Sequence, residues 1–518
     1  MMTLPARLFA STALAVLALP ASAVTPEEAW AMFADTTAAT GAAVDATLTR
    51  EGDVLTVDDV SVRWDFPFGA GEFSLRVGPY VMTDRGDGSV SLTTPDTVTI
   101  AFAGRLNVGG EEASLTGSVA LSQSGADVVI TGTADDMTLV ADVPSSTLTL
   151  SFLDIRLPDG EDPGFDPSTI ELLVELKDAS QEARYIRESD VYRITSNGSS
   201  GVGSTRIAIP AEFGGSSDNI SRTTSGTGSV SAVLPRGEIS VMNLAAAIRA
   251  GLAVSGTTLT TGVTNAAITT LPGGDILTKQ STTTERQTSD FRFGEGGLSV
   301  SGAATGTAIS LLIPELFPVE LSGRLDTVSA RFILPILASP EVSQPVEYDV
   351  SVEGLTLDEA IWSLLDPAHF LPRDPIDLVI DLGAEVRPLV DLLDIQTMIA
   401  MIDGGQTPVE LDTVRIDALH LSAAGVEVQG DGAFTLDFTD MVTFPGSPRP
   451  EGSAAVRIAG ANRLLDTLVQ MGLLADEDVM GARMGLGMFT RLVSDDLVES
   501  KVEVTADGQV FVNDQRMR

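Results

Sequence analysis

From Val54 onward the chain alternates apolar and polar residues with period two. Val54, Thr56, Asp58, Val60 and Val62 are followed by Phe73, Leu75 and Val77, then by an Asp87-Gly88 turn and by Val90, Leu92, Val98 and Ile100. Such alternation predicts half-buried β-strands joined by hairpins. A short element recurs along the chain as apolar, any, apolar, any, Gly. It stands at Val128-x-Ile130-x-Gly132, Leu252-x-Val254-x-Gly256, Leu298-x-Val300-x-Gly302, Val319-x-Leu321-x-Gly323 and Val426-x-Val428-x-Gly430, with a weaker copy ending at Gly117. Strand glycines mark bulges, bends or close backbone approach. Their irregular spacing argues for a long bent antiparallel sheet and against a solenoid or propeller of fixed period.

Helical periodicity is confined to a few places. Thr25-Pro26-Glu27-Glu28 reads as an N-cap, a first-turn proline and acids that complement the helix dipole, ahead of Ala29, Trp30, Met32 and Phe33. A second helix opens at Thr356-Leu357-Asp358-Glu359 and stops at Asp366-Pro367, and a third is expected over about Val386 to Ile402. A helix pair starts at Asn462 and Asp476, and a hairpin follows with Val502 and Val504, the turn Ala506-Asp507-Gly508, then Val510 and Val512. The fold class is therefore α+β and β-rich: a large bent antiparallel sheet with amphipathic helices packed on one face. Ser196 to Ser229, rich in Ser and Gly, supplies a candidate boundary between an N-terminal half over 24–229 and a C-terminal half over 230–518; it also reads as a hairpin of polar-faced strands.

Residues 1–23 stand apart. Arg7, the apolar run Leu8 to Leu19 and Ala21-Ser22-Ala23 form the three regions of a secretory signal peptide, with cleavage expected between Ala23 and Val24. The run is too short to span a bilayer, and no later stretch approaches the length of a transmembrane helix, so no transmembrane segment is expected after cleavage. The expected location is the periplasm or the exterior.

Charge and composition narrow the partners. The 518 residues carry 31 Lys and Arg against 72 Asp and Glu, a net charge of -41. So acidic a surface repels phosphate backbones and anionic head groups, which excludes nucleic-acid binding as an expectation. There is no cysteine, hence no disulfide, thiolate chemistry or Cys-based metal site, and the two histidines, His369 and His420, are far apart. No Gly-x-Ser-x-Gly elbow, His-Glu-x-x-His helix, Walker loop or dinucleotide loop occurs. Catalytic residues and cofactors are therefore expected to be absent, and the protein is read as a non-enzyme.

Two clusters remain as candidate sites. Met480, Met484, Met488 and Leu492 share a helical stripe, which suits a flexible groove for lipid or hydrophobic peptide and equally a core packed on a sheet. Asp159, Glu161, Asp162 and Asp166 gather four carboxylates in one Gly- and Pro-containing loop, a candidate Ca²⁺ site or a solvated acidic loop, without the EF-hand spacing.

The ends of the chain resemble a known family. The signal peptide running into Thr25-Pro26-Glu27-Glu28-Ala29-Trp30, the strands around Asp84-Arg85-Gly86-Asp87-Gly88, and the closing helix pair with Asp507-Gly508-Gln509-Val510-Phe511-Val512-Asn513 resemble the secreted alphaproteobacterial proteins catalogued as domain of unknown function 2125. That family carries no assigned activity. The terminal hairpin and strand-Gly elements are more distantly similar to AsmA-like envelope proteins, a resemblance that implies long curved sheets and lipid movement; Asp514 and the lack of a retained anchor depart from it. Three functions follow as expectations: a periplasmic module binding a lipid or other hydrophobic ligand, a structural or protein-interaction component of the envelope, or a carboxylate-based hydrolase.

Overall fold

The computed structural model describes residues 23–66, 70–108, 111–158, 164–210, 215–237, 239 and 243–517. The signal-peptide expectation for residues 1–22 lies outside them. The chain opens with α1 (Pro26–Ala38), whose cap is the one the sequence specifies. Glu28 N–H donates to Thr25 Oγ1 at 3.3 Å, and Thr25 N–H donates to a Glu28 carboxylate oxygen at 2.9 Å.

Strands follow in chain order: β1 (Ala43–Glu51), β2 (Val54–Phe66), β3 (Gly71–Val77), β4 (Tyr80–Asp84), β5 (Ser89–Thr93), β6 (Thr97–Val108), β7 (Glu111–Ser124), β8 (Asp127–Thr133) and β9 (Asp136–Arg156). Next come β10 (Glu171–Arg187), β11 (Val191–Ser200), β12 (Gly203–Pro210), β13 (Ser216–Thr223), β14 (Ser225–Pro235), α2 (Leu244–Arg249), β15 (Ala253–Thr270), β16 (Ile276–Gly294), β17 (Gly297–Ile313) and β18 (Phe317–Leu334). The remainder is β19 (Gln344–Leu357), α3 (Glu359–Leu365), β20 (Ile376–Pro388), α4 (Ile395–Asp403), β21 (Val409–Ala423), β22 (Val426–Asp437), β23 (Arg449–Ala459), α5 (Ala461–Gln470), α6 (Asp476–Phe489), β24 (Arg491–Ser494), β25 (Leu497–Val504), β26 (Val510–Val512) and β27 (Gln515–Arg516).

All 27 described strands belong to one antiparallel sheet, so the protein is a β-rich α+β fold. From β15 to β23 each strand pairs with the next. Earlier, long strands pair on one side with two shorter ones laid end to end. β10 takes β12 along Glu171–Leu176 and β11 along Ser180–Arg187; β15 takes β14 along Ala253–Thr261 and β13 along Thr264–Thr270. The described part of the Ser- and Gly-rich stretch 196–229 thus contributes strands to the ladder: β14 crosses 229/230 with β11 on one side and β15 on the other.

Two apolar clusters anchor helices to the same face. α1 inserts Ala29 and Met32, both fully buried, against Leu55, Val57, Met82, Ile130 and Met137. α2 inserts Ala247 and Ile248 against Val254, Phe293, Leu298 and Ile336. Val24 joins the first cluster, and its N–H donates to Gly132 O at 3.0 Å.

One expected helix is corrected. Val386 to Pro388 end β20, with Val386 paired to Gln344 and Leu411, and the helix begins only at Ile395 behind the Asp394 cap. The apolar spacing of Val386, Val390 and Leu393 imitates a helix, but Pro388 lacks an N–H, and Leu389 and Leu392 donate theirs to Pro408 and Ile336. The other expected helices are α1, α3, α5 and α6, and the expected terminal hairpin is β25–β26.

Candidate functional site

Because residues opposite each other in a ladder share a face, the register assigns every side chain of the sheet to one side. On the side that carries α1 and α2, one row reads Phe332, Tyr348, Leu382, Ile416, Gly432, Ala454, Val502, Val512 across β18 to β26. The next reads Ala330, Val350, Ile380, Leu419, Gly430, Val456, Ser500. Flanking rows begin Val328, Val352, Leu378, Leu421 and Val346, Ala384, Val414, Phe434. No charged residue interrupts these four rows.

The opposite face of the same strands holds the charges. Arg331 faces Asp349, which faces Asp381; Arg457 binds Glu499 at 2.9 Å and Arg415 binds Glu385 at 3.3 Å. In β22 the alternation is strict: Glu427, Gln429 and Asp431 are exposed, whereas Val428, Gly430 and Phe434 are half-buried.

A sheet face this apolar ordinarily packs on a second layer. Here its centre remains open: Leu382 is 38%, Val414 38% and Tyr348 47% exposed. From β18 to β22 the four rows span about 19 Å across the strands and about 20 Å along them, roughly 400 Å², within the range of the largest patch on a typical monomer. The rows hold no charged side chain and no histidine, and their polar members are Tyr348 and Ser500.

The strand-Gly elements belong to this arrangement. Ile130-Gly132, Val254-Gly256, Val300-Gly302 and Val428-Gly430 all place the apolar residue and its glycine on the helix-bearing side, whereas Leu321-Gly323 lies on the other. Gly430 flanks a register shift at Ile416/Leu419, while Gly256 and Gly302 sit in regular ladder where a Cβ would meet a carbonyl oxygen at 3.2 and 3.4 Å. Glycine therefore serves close approach at these positions more often than bulging.

The methionine stripe lies elsewhere. Met480 and Met484 line a cleft of about 740 Å³ between α5 and α6 with Asp466, Val469 and Arg483, and Arg483 binds Asp466 at 2.7 Å. Met488 and Leu492 are 71% and 70% exposed. The buried residue of α6 is Val479, so the stripe does not form a core against the sheet. In the acidic loop, Asp159, Glu161 and Asp162 lie outside the described residues. Asp166 caps a single 3-10 turn over Pro167–Thr169, accepting from Ser168 N–H at 2.9 Å, and its hydrogen bonds to Ser168 lower its pKa. Among the described residues no group of three or more His, Asp or Glu is arranged to hold a metal ion.

His369 is exposed in a left-handed conformation beside the buried Asp366. Burial pushes the Asp366 carboxyl up, but the N–H groups of Leu371 and Phe370 and the charges of Arg373 and His369 outweigh it and leave the pKa below the ordinary value. This is a loop clasp, with Arg373 stacked 5.4 Å over Trp362. His420 sits in the ladder between Val379 and Gln429.

The apolar face was missed as a site because each strand in isolation shows only ordinary alternation. The signal that could have revealed it is arithmetic: too few helices for so many one-sided strands. No protein-family model matches the chain, and no curated protein matches it. Among the described residues no helix is long and apolar enough to cross a membrane.

Proposed function

We propose that the protein is exported to the periplasm and acts there as a non-enzymatic module that binds a lipid or other hydrophobic ligand on the helix-bearing face of its sheet. The observation that carries this reading is the set of four uncharged register rows running from β18 to β26 with their centre open to solvent. Leaving such a face in water forgoes about 25 cal/mol for each Å² of apolar surface, a cost that a hydrocarbon ligand removes. The similarity of the strand elements to AsmA-like proteins points the same way. Protein purified from the periplasm should begin at Val24 and release lipid on organic extraction, with the complex visible by native mass spectrometry. Ligand-free protein that takes up no hydrophobic probe overturns the reading, and a co-purifying polypeptide on this face in place of lipid favours a structural or interaction role.

A further inference from the structure

We infer that the ligand of this face is an amphiphile with an uncharged, hydroxylated head group such as a sugar, its alkyl chain lying over β18 to β26 and its head in a hollow over β10 to β15. The inference rests on the lipid-binding reading and specifies its ligand. The register rows do not stop at β18. The first continues through Val300, Phe291, Gly256 and Val230 to Ser196, and the second through Gly302, Ser289, Thr258 and Gly228 to Gly198 and Gln181. The second row changes from hydrocarbon to hydroxyl and amide, the first stays apolar as far as Val230 and turns polar at Ser196, and no charge appears in either.

Both rows cross a hollow of about 450 Å³ that is lined by Gln181, Ser196 and Thr258 together with the apolar Val143, Leu176 and Val230. A fifth of the chain is charged, yet none of the sixteen lining residues is. Phosphate or carboxylate heads call for Arg, Lys or a helix N-terminus, and cationic heads for carboxylates or aromatic faces. The lining offers none of these. It offers neutral donors and acceptors, some already oriented: Gln181 Nε2 donates to Ser196 Oγ at 2.9 Å, and Thr258 and Ser289 hydroxyls share a hydrogen bond of 2.8 Å. Glycines at 198 and 228 leave the floor low. Lys177 of β10 is exposed and is not part of the lining. Three strand steps separate Thr258, in the lining, from Ala330, about 14 Å, so one extended alkyl chain bridges the two regions.

The test titrates the mature, full-length protein with dodecyl maltoside, dodecylphosphocholine, laurate and free maltose by calorimetry below the critical micelle concentrations. Dodecyl maltoside should bind about tenfold more tightly than the two charged-head probes, the worth of one or two net hydrogen bonds, and maltose alone should show no binding. Gln181→Leu with Ser196→Ala should bring dodecyl maltoside down to the affinity of the charged-head probes; Thr258→Val provides an independent second variant, with melting curves confirming that each folds. Equal affinity for all three alkyl probes, tighter binding of laurate, or maltose binding as tightly as its alkyl derivative overturns the head-group inference while the apolar-face reading stands. Failure of every alkyl probe to bind overturns that reading as well.

Discussion

Asp349 of β19 stands directly opposite Asp381 of β20, on the side of the sheet behind Tyr348 and Leu382, and Asp349 Oδ2 is buried with no donor. Two like charges facing each other across a ladder repel. Desolvation, the hydrogen bond to Asp349 and the nearby charges of Asp349 and Asp417 all raise the pKa of Asp381, with Arg331 opposing them. The arrangement puts these acidic groups behind the uncharged face of the sheet.

The consequence for stability has a definite sign. With its folded-state pKa above the unfolded value, Asp381 contributes most stability below the unfolded pKa, and that contribution is lost as pH rises through the raised folded value. Asp381→Asn should therefore stabilise the protein at pH 7 by up to about 1 kcal/mol, a ceiling set by solvent screening. The gain should shrink towards pH 4 in urea titrations. A variant less stable than wild type at pH 7 would contradict the pair's assigned role.

Asp437 behaves in the opposite sense. Hydrogen bonds from the Thr439 hydroxyl, from Arg449 and from Thr439 N–H lower its pKa to about 2. Its contribution is present above the unfolded value, about 3.9, and is lost as pH falls towards 2. Asp437→Asn should lower the melting temperature at pH 6, and the gap to wild type should close in the acid range.

The first cluster should prove the more sensitive to truncation. Met32→Ala removes a fully buried side chain and should cost about 2–5 kcal/mol, while Thr25→Ala, which removes only the cap, should cost about 1 kcal/mol. Chemical denaturation of both variants checks the ratio.

Leu382→Glu should separate function from folding. The side chain is over a third exposed, so stability should change by less than about 1 kcal/mol. A charge in the centre of the apolar rows should nevertheless weaken binding of every alkyl probe at least about tenfold, since hydrocarbon must then contact a carboxylate. Probe binding that survives this change would move the ligand site elsewhere, to the cleft holding Met480 and Met484 in the first instance.

Much of the architecture was legible from local signals. Thr25 to Glu28 specify the α1 cap, Asp366-Pro367 follows the end of α3, and the alternation from Val54 specifies strands, because caps, prolines and period-two patterns act within a few residues. The helix expected from Val386 failed for the same locality: three apolar residues fit a helical spacing that the β19 and β21 partners overrode. The methionines were conspicuous in sequence, yet Val479 turned out to be the residue α6 buries.

By itself, then, the sequence determined the elements, the acidic charge, the lack of cysteine and the class of fold. Only the tertiary structure decided which residues form the candidate site. The register of many strands, each contributing one or two unremarkable apolar side chains, collects Tyr348, Leu382, Ile416 and Phe434 onto one open face. No single segment encodes that surface, because it exists only perpendicular to the chain, in the direction of the hydrogen bonds.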